Sequence, residues 1–133
     1  MPDFQTAFGA QLPQGTVPMT VFIPSKDREG HPVEQEFWVD ECLSTLGTLY
    51  RGGTAFPPGK GVWRDDQRAG HLLFEPVVMV VTYASPSDLT DDSLARLRAF
   101  LHRLGRNAAQ GEVGLVVDGV YYRINRFDPE PTP

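Results

Sequence analysis

Apolar positions recur along this chain with different periods, and each change of period marks an element. Val17-Pro18-Met19-Thr20-Val21-Phe22-Ile23 is β-branched and aromatic and stops at Pro24, which predicts a first strand, with Pro18 near its entry where a missing N–H donor is tolerated. From Val33 to about Tyr50 the set Val39, Cys42, Leu43, Leu46, Leu49 and Tyr50 returns at spacings of three and four, one stripe of a helix with its acid crowded into the first half. Gly52-Gly53 predicts its end. Thr54-Ala55-Phe56 then predicts a second strand that resumes at Gly61-Val62-Trp63-Arg64 after a Pro-Pro-Gly-Lys interruption, and Asp65 to Gly70 a turn. The longest apolar run, His71 to Tyr83, is too rich in valine for a helix and predicts a central strand covered on much of both faces, with a bulge beside Glu75 where Pro76 breaks the ladder.

Thr90 followed by Asp91 and Asp92 predicts a capped helix whose buried stripe is Leu94, Leu97, Leu101 and Leu104, with Phe100 alongside and His102 on the surface. Glu112 to Val117 and Val120 to Ile124, joined by Asp118-Gly119, predict a hairpin, because a type I′ turn needs φ > 0 at both central residues. Residues 1–16 show neither period and predict a flexible N-terminal arm; residues 125–133, with three prolines, predict a disordered tail. Residues 17–124 are left as a single α+β domain. The order β-α-β-β-α-β, with an added C-terminal hairpin strand, resembles the ferredoxin-like arrangement, including the PII-type nucleotide-sensing regulators, in which an antiparallel sheet carries two helices on one face. That resemblance is one of topology over residues 17–124, and no PII sequence motif accompanies it.

Composition narrows the function classes. The 133 residues are 41% apolar and 22% charged, an ordinary single-domain balance, and a net charge of −5 argues against wrapping nucleic acid. One cysteine, Cys42, excludes an internal disulfide and suits a reducing compartment, and neither a signal-like start nor an apolar run of membrane-spanning length is present, so a cytoplasmic protein is expected.

The likeliest site is the stretch from Gly52 to Asp66, which packs four glycines and two prolines around Trp63 and closes on Arg64-Asp65-Asp66. It is not a phosphate loop of the G-x4-G-K-[ST] kind: five residues separate Gly53 from Gly59, and Gly61 follows Lys60 where a hydroxyl is required. A looser anion cradle stays open beside a kinked strand that merely connects elements. On the first reading the protein is a small sensor-like domain, homo-oligomeric through its sheet or edge hairpin. It binds an anionic small molecule or nucleotide: Lys26, Arg28, Lys60 and Arg64 neutralise it, Gly53, Gly59 and Gly61 offer N–H donors, and Trp63 stacks on a flat ring.

A second reading makes the protein a metal-assisted hydrolase or lyase, with Glu75 or His71 as general base and Asp65 and Asp66 as metal or orienting groups. No H-x-x-x-H, H-x-H or C-x-x-C pair fixes two ligands on one face, so no metal and no cofactor is assigned. Glu75 stands out because an acid in an apolar strand must be exposed, paired or raised in pKa. A third reading is a protein-interaction or inhibitor module acting through an edge strand or an acidic surface. Pro24-Ser25-Lys26-Asp27, Gly52-Gly53-Thr54 and Gly59 to Asp66 together resemble an uncharacterised family of small microbial α+β proteins, a resemblance that implies no activity.

Overall fold

The central strand is β4, His71–Ala84, whose 14 residues pair with three other strands. The structure, a computed structural model, describes residues 1–132. Around β4 an antiparallel six-stranded sheet is laid out from β1 (Val17–Ile23), β2 (Thr54–Ala55), β3 (Gly59–Asp65), β5 (Val113–Val117) and β6 (Val120–Ile124). Its order is β2-β4-β1-β5-β6, with β3 also on β4. The chain is therefore α+β, with α2 (Gln35–Tyr50) and α3 (Asp91–Asn107) as its long helices and a short α1 (Phe4–Phe8).

Alternation along the strands explains the layering. Met19, Val21 and Ile23 of β1, Val78, Val80 and Ala84 of β4, and Val113 and Leu115 of β5 share one core with Trp38, Val39, Cys42, Leu46 and Tyr50 of α2 and Leu97, Phe100, Leu101 and Leu104 of α3. Both long helices thus cover one face, and each fully buried aliphatic side chain contributes about 1.5–3 kcal/mol relative to exposure. Thr90 caps α3 in a reciprocal box with Ser93, and the Ser93 hydroxyl also lies 3.3 Å from the Tyr50 hydroxyl, tying the end of α2 to the start of α3. Cys42 is fully buried, and burial pushes its thiol up to about 12.

A strand forms on each side of the interruption, but Gly59 and Lys60, expected within it, open β3 instead. Ala55 faces Val80 and Gly59 faces Val77, so four steps along one strand oppose three along β4 and one residue is extra. The irregularity sits at Pro57-Pro58, not beside Glu75: β4 runs unbroken because β1 has already ended at Ile23 opposite Val78, leaving Pro76 no second ladder to break. The hairpin turn takes its expected form, with Asp118 at φ 50° and Gly119 at φ 83°.

Three expectations about the periphery change. Leu94 is exposed because Ser93 takes the buried position of the first turn of α3, whereas His102 is buried and its Nδ1 accepts the Asp128 N–H at 2.7 Å. The expected disorder of residues 125–133 does not extend to Phe127 and Asp128: Phe127 packs on Gly105, where a Cβ would overlap its ring, and Asp128 pairs with Arg98 at 2.9 Å. Pro133 lies outside the described residues. Within the arm, Asp3 caps the one turn of α1 and Gly15 lies over the backbone of Tyr83, where a Cβ would come within 2.7 Å of the Tyr83 carbonyl oxygen.

Candidate functional site

The face of the sheet opposite the helices brings an acid and an indole together. Trp63 and Glu75 both point to it, because β3 and β4 pair with Trp63 opposite Leu73 and Gly61 opposite Glu75. Glu75 is 8% exposed. Its two carboxylate oxygens are held separately: the Trp63 indole N–H donates to Oε1 and the Lys26 backbone N–H to Oε2, each at 3.1 Å. Burial raises the pKa of this carboxyl, and the two donors oppose the shift by favouring its charged form.

Glycine at 61 serves packing here. A Cβ on Gly61 would come within 2.7 Å of a Val77 methyl, so its absence lets Val77 sit beneath the Trp63–Glu75 pair. The glycines of the 52–61 run show no positive φ; the left-handed residue is Arg51, at φ 76°, which closes α2 just before them.

A narrow crevice opens beside Glu75, lined by Phe22, Pro24, Trp63, Val77, Gln110, Glu112 and Gly114. It has about 10 Å³ of room for solvent, roughly one water molecule. Only a reacting atom or a small group enters it, and the bulk of any ligand must lie on the open sheet face beside Phe22 and Tyr121, whose rings are 6.2 Å apart. The Gln110 amide donates to the Lys26 and Ala108 carbonyls, which fixes it at the rim. Glu112 pairs with Arg123 at 2.9 Å, and burial, followed by the nearby Glu112 charge, raises the pKa of Tyr121.

Gln110, Glu112, Phe22 and Tyr121 were not selected from the sequence. Each lies on a different segment from Glu75, and the β1–β4, β1–β5 and β5–β6 pairings bring them together, so no local spacing announces them.

The sequence-selected residues divide. Lys26 reaches the site through its backbone, with its ammonium 3.5 Å from the Phe74 carbonyl, and Arg28 follows on the same loop, its N–H on the Ala109 carbonyl. Lys60 and Arg64 do not join Trp63: they face Pro76 and Leu72 on alternate positions of β3 and so project from the opposite face. Lys60 sits 5.9 Å from the centre of the Phe74 ring, and Arg64 is taken up by Asp66 at 2.5 Å. Gly59 pairs opposite Val77 within β3, and Gly53 lies well away, in a groove by the end of α2.

His71 and Asp65 are direct cross-strand partners at the far end of the hairpin, both exposed or nearly so, and Asp65 is engaged by Gln67 and Arg68. Four residues of β4 separate His71 from Glu75, about 13 Å at the rise of an extended strand. Asp65, Asp66, His71 and Glu75 therefore do not converge, and among the described residues no three His, Cys, Asp or Glu side chains gather to hold a metal ion. The 25–31 loop does meet the hairpin: Arg68 bonds Glu29 at 2.6 Å.

Comparison with known proteins places this geometry in a fold. No protein-family model matches the sequence, and no curated protein matches it. Among solved structures the chain is similar to a phage SAM lyase in complex with S-methyl-5′-thioadenosine, with a TM-score of 0.66 and 17% identity over 87% of this chain and 94% of that one. It is similar also to a phage SAM lyase in the apo state, with a TM-score of 0.58 and 16% identity over 90% and 98%. At such identities the likeness is one of fold: a small α+β domain built on an antiparallel sheet.

Proposed function

We propose that this protein binds a small nucleoside-like molecule against the open sheet face and that Glu75 acts on it, in a reaction of the lyase class. The observation that carries the reading is the position of Glu75: a carboxyl nearly removed from solvent, held by two N–H donors from different segments, with its pKa raised and a one-water crevice beside it. Such a group accepts a proton more readily than an exposed carboxylate does. The likeness of fold to phage SAM lyase, one structure of which holds S-methyl-5′-thioadenosine, supports a nucleoside-bearing sulfonium as the substrate class. In such an elimination the Glu75 carboxylate takes a proton from the carbon next to the one bonded to sulfur, the C–H electron pair becomes a carbon–carbon double bond, and the carbon–sulfur bond breaks with its electron pair left on sulfur, giving a neutral thioether, an alkene and a protonated Glu75.

The anionic-ligand reading keeps Lys26, whose backbone N–H binds Glu75, and Arg28 two residues along the same loop, as the cations for a carboxylate or phosphate of the same molecule. In this reading the frame is ferredoxin-like, the protein is cytoplasmic, and the exposed apolar residues Val120 and Tyr122 of the edge hairpin serve an interface between copies. No helix among the described residues is long and apolar enough to cross a membrane.

The test is incubation with SAM and chromatographic separation of the products. The expected result is formation of S-methyl-5′-thioadenosine, slowed by about 100-fold or more in Glu75→Gln, the range for loss of a positioned proton-transfer group. No product, together with no rise in melting temperature on adding either SAM or S-methyl-5′-thioadenosine, defeats the proposal.

A further inference from the structure

The outer sheet face carries a second cavity that the Glu75 chemistry does not use. It is a groove of about 380 Å³ between the end of α2, β2, the last turn of β4 and the arm, within the size range of small-molecule sites. Its walls include Tyr83 and Phe56, which are 64% and 44% exposed. The Phe56 N–H donates to the Met79 carbonyl, so the two rings stand four residues apart along β4, about 13 Å. Thr54 and Val81, direct partners across β2 and β4, make a flat floor between them. Gly15 of the arm closes one side by lying on the Tyr83 backbone.

The polar groups of the groove are of mixed sign. Arg51 holds a left-handed conformation at φ 76°, uncommon for a residue with a Cβ, and its Nε donates to Asp88 Oδ2 at 2.9 Å. Among the described residues that pair leaves the terminal guanidinium nitrogens and Asp88 Oδ1 without a partner, a donor and an acceptor side by side with no net charge. The Gly53 N–H is a further donor without a protein acceptor. An anion gains little from a cation already neutralised, at the negative end of α2. A neutral ring with donors and acceptors on its edge gains both hydrogen bonding and stacking.

We propose that this groove is a binding site for a neutral heteroaromatic ring, a nucleobase or nucleoside, separate from the site at Glu75. The ring stacks on Tyr83, its edge meets Arg51 and Asp88, and the remainder of the ligand lies over Thr54 and Val81 toward Phe56. Tyr83 lies eight steps along β4 from Glu75, about 26 Å, so one small ligand on one chain does not span both. The inference therefore stands whether or not Glu75 proves catalytic.

Calorimetric titration with adenosine as the probe tests it, on the wild type, Tyr83→Ala, Arg51→Ala and Glu75→Gln. Tyr83 and Arg51 are exposed, so both variants are expected to fold, and circular dichroism checks that they do. Binding weakened about tenfold or more in Tyr83→Ala and in Arg51→Ala, unchanged in Glu75→Gln, and no tighter for adenosine monophosphate than for adenosine is the expected pattern. Absence of binding up to the solubility of adenosine, binding unchanged in folded Tyr83→Ala, or binding lost in Glu75→Gln overturns the assignment. A phosphate-dependent gain in affinity overturns the neutral-ligand class.

Discussion

The indole N–H of Trp63 donates to Oε1 of Glu75 across a diagonal of two antiparallel strands, at 3.1 Å, and so anchors the one acid of the apolar strand. The bond opposes a desolvation that otherwise favours the neutral acid. The balance of the two sets the pH behaviour of the fold and of the site together.

Stability is expected to reveal that balance first. Because burial raises the Glu75 pKa in the folded state, the unfolded chain releases its proton more readily, and the favourable contribution is fully present below the unfolded carboxyl pKa and is lost as pH rises through the folded one. Glu75→Gln removes the titration. Its melting temperature relative to wild type should therefore climb as pH rises above about 4, where the unfolded glutamate titrates. Parallel pH profiles for the two proteins would show that Glu75 carries no shift.

Trp63→Phe keeps an aromatic ring and deletes the donor. Glu75 then loses a hydrogen bond that lowers its pKa, so its titration, followed by carbon-detected nuclear magnetic resonance of the carboxyl, should move to higher pH. An acceptor left unpaired in a buried setting costs about 1–3 kcal/mol. Denaturant unfolding at pH 7 checks that loss, which should shrink at pH 4 where the acid is protonated.

Gly105 of α3 is expected to tolerate no side chain while Phe127 is present. A Cβ there overlaps the Phe127 ring, so Gly105→Ala should expel residues 127–128 and lose about 1–3 kcal/mol, the usual cost of overpacking. In a Phe127→Ala background the same change should cost far less, and the difference from additivity measures the contact. Simple addition of the two effects would mean that the tail does not rest on α3.

Cys42 should be silent to thiol reagents in the native protein. Its thiol is fully buried with its pKa pushed up to about 12, so almost no thiolate exists at neutral pH. Reaction with an aromatic disulfide reagent should await unfolding, and a rate at pH 8 that matches a free peptide thiol would contradict the burial.

Local patterns determined most of the frame. The β-branched and aromatic run at Val17–Ile23, the long valine-rich run at His71–Tyr83, period-3.6 stripes in α2 and α3, the Thr90 cap and the Asp118-Gly119 turn are properties of neighbouring residues, so the chain declares them without tertiary help. The sequence likewise singled out Glu75 and Trp63, an acid and an indole out of place in apolar strands. What it did not determine was the company they keep. Adjacent residues of a strand face opposite ways, which parts Lys60 and Arg64 from Trp63, while strand pairing delivers Phe22, Gln110 and Glu112 from distant segments. Sheet register decides such meetings, and register is settled by the burial of whole faces rather than by any one residue's neighbours in the chain.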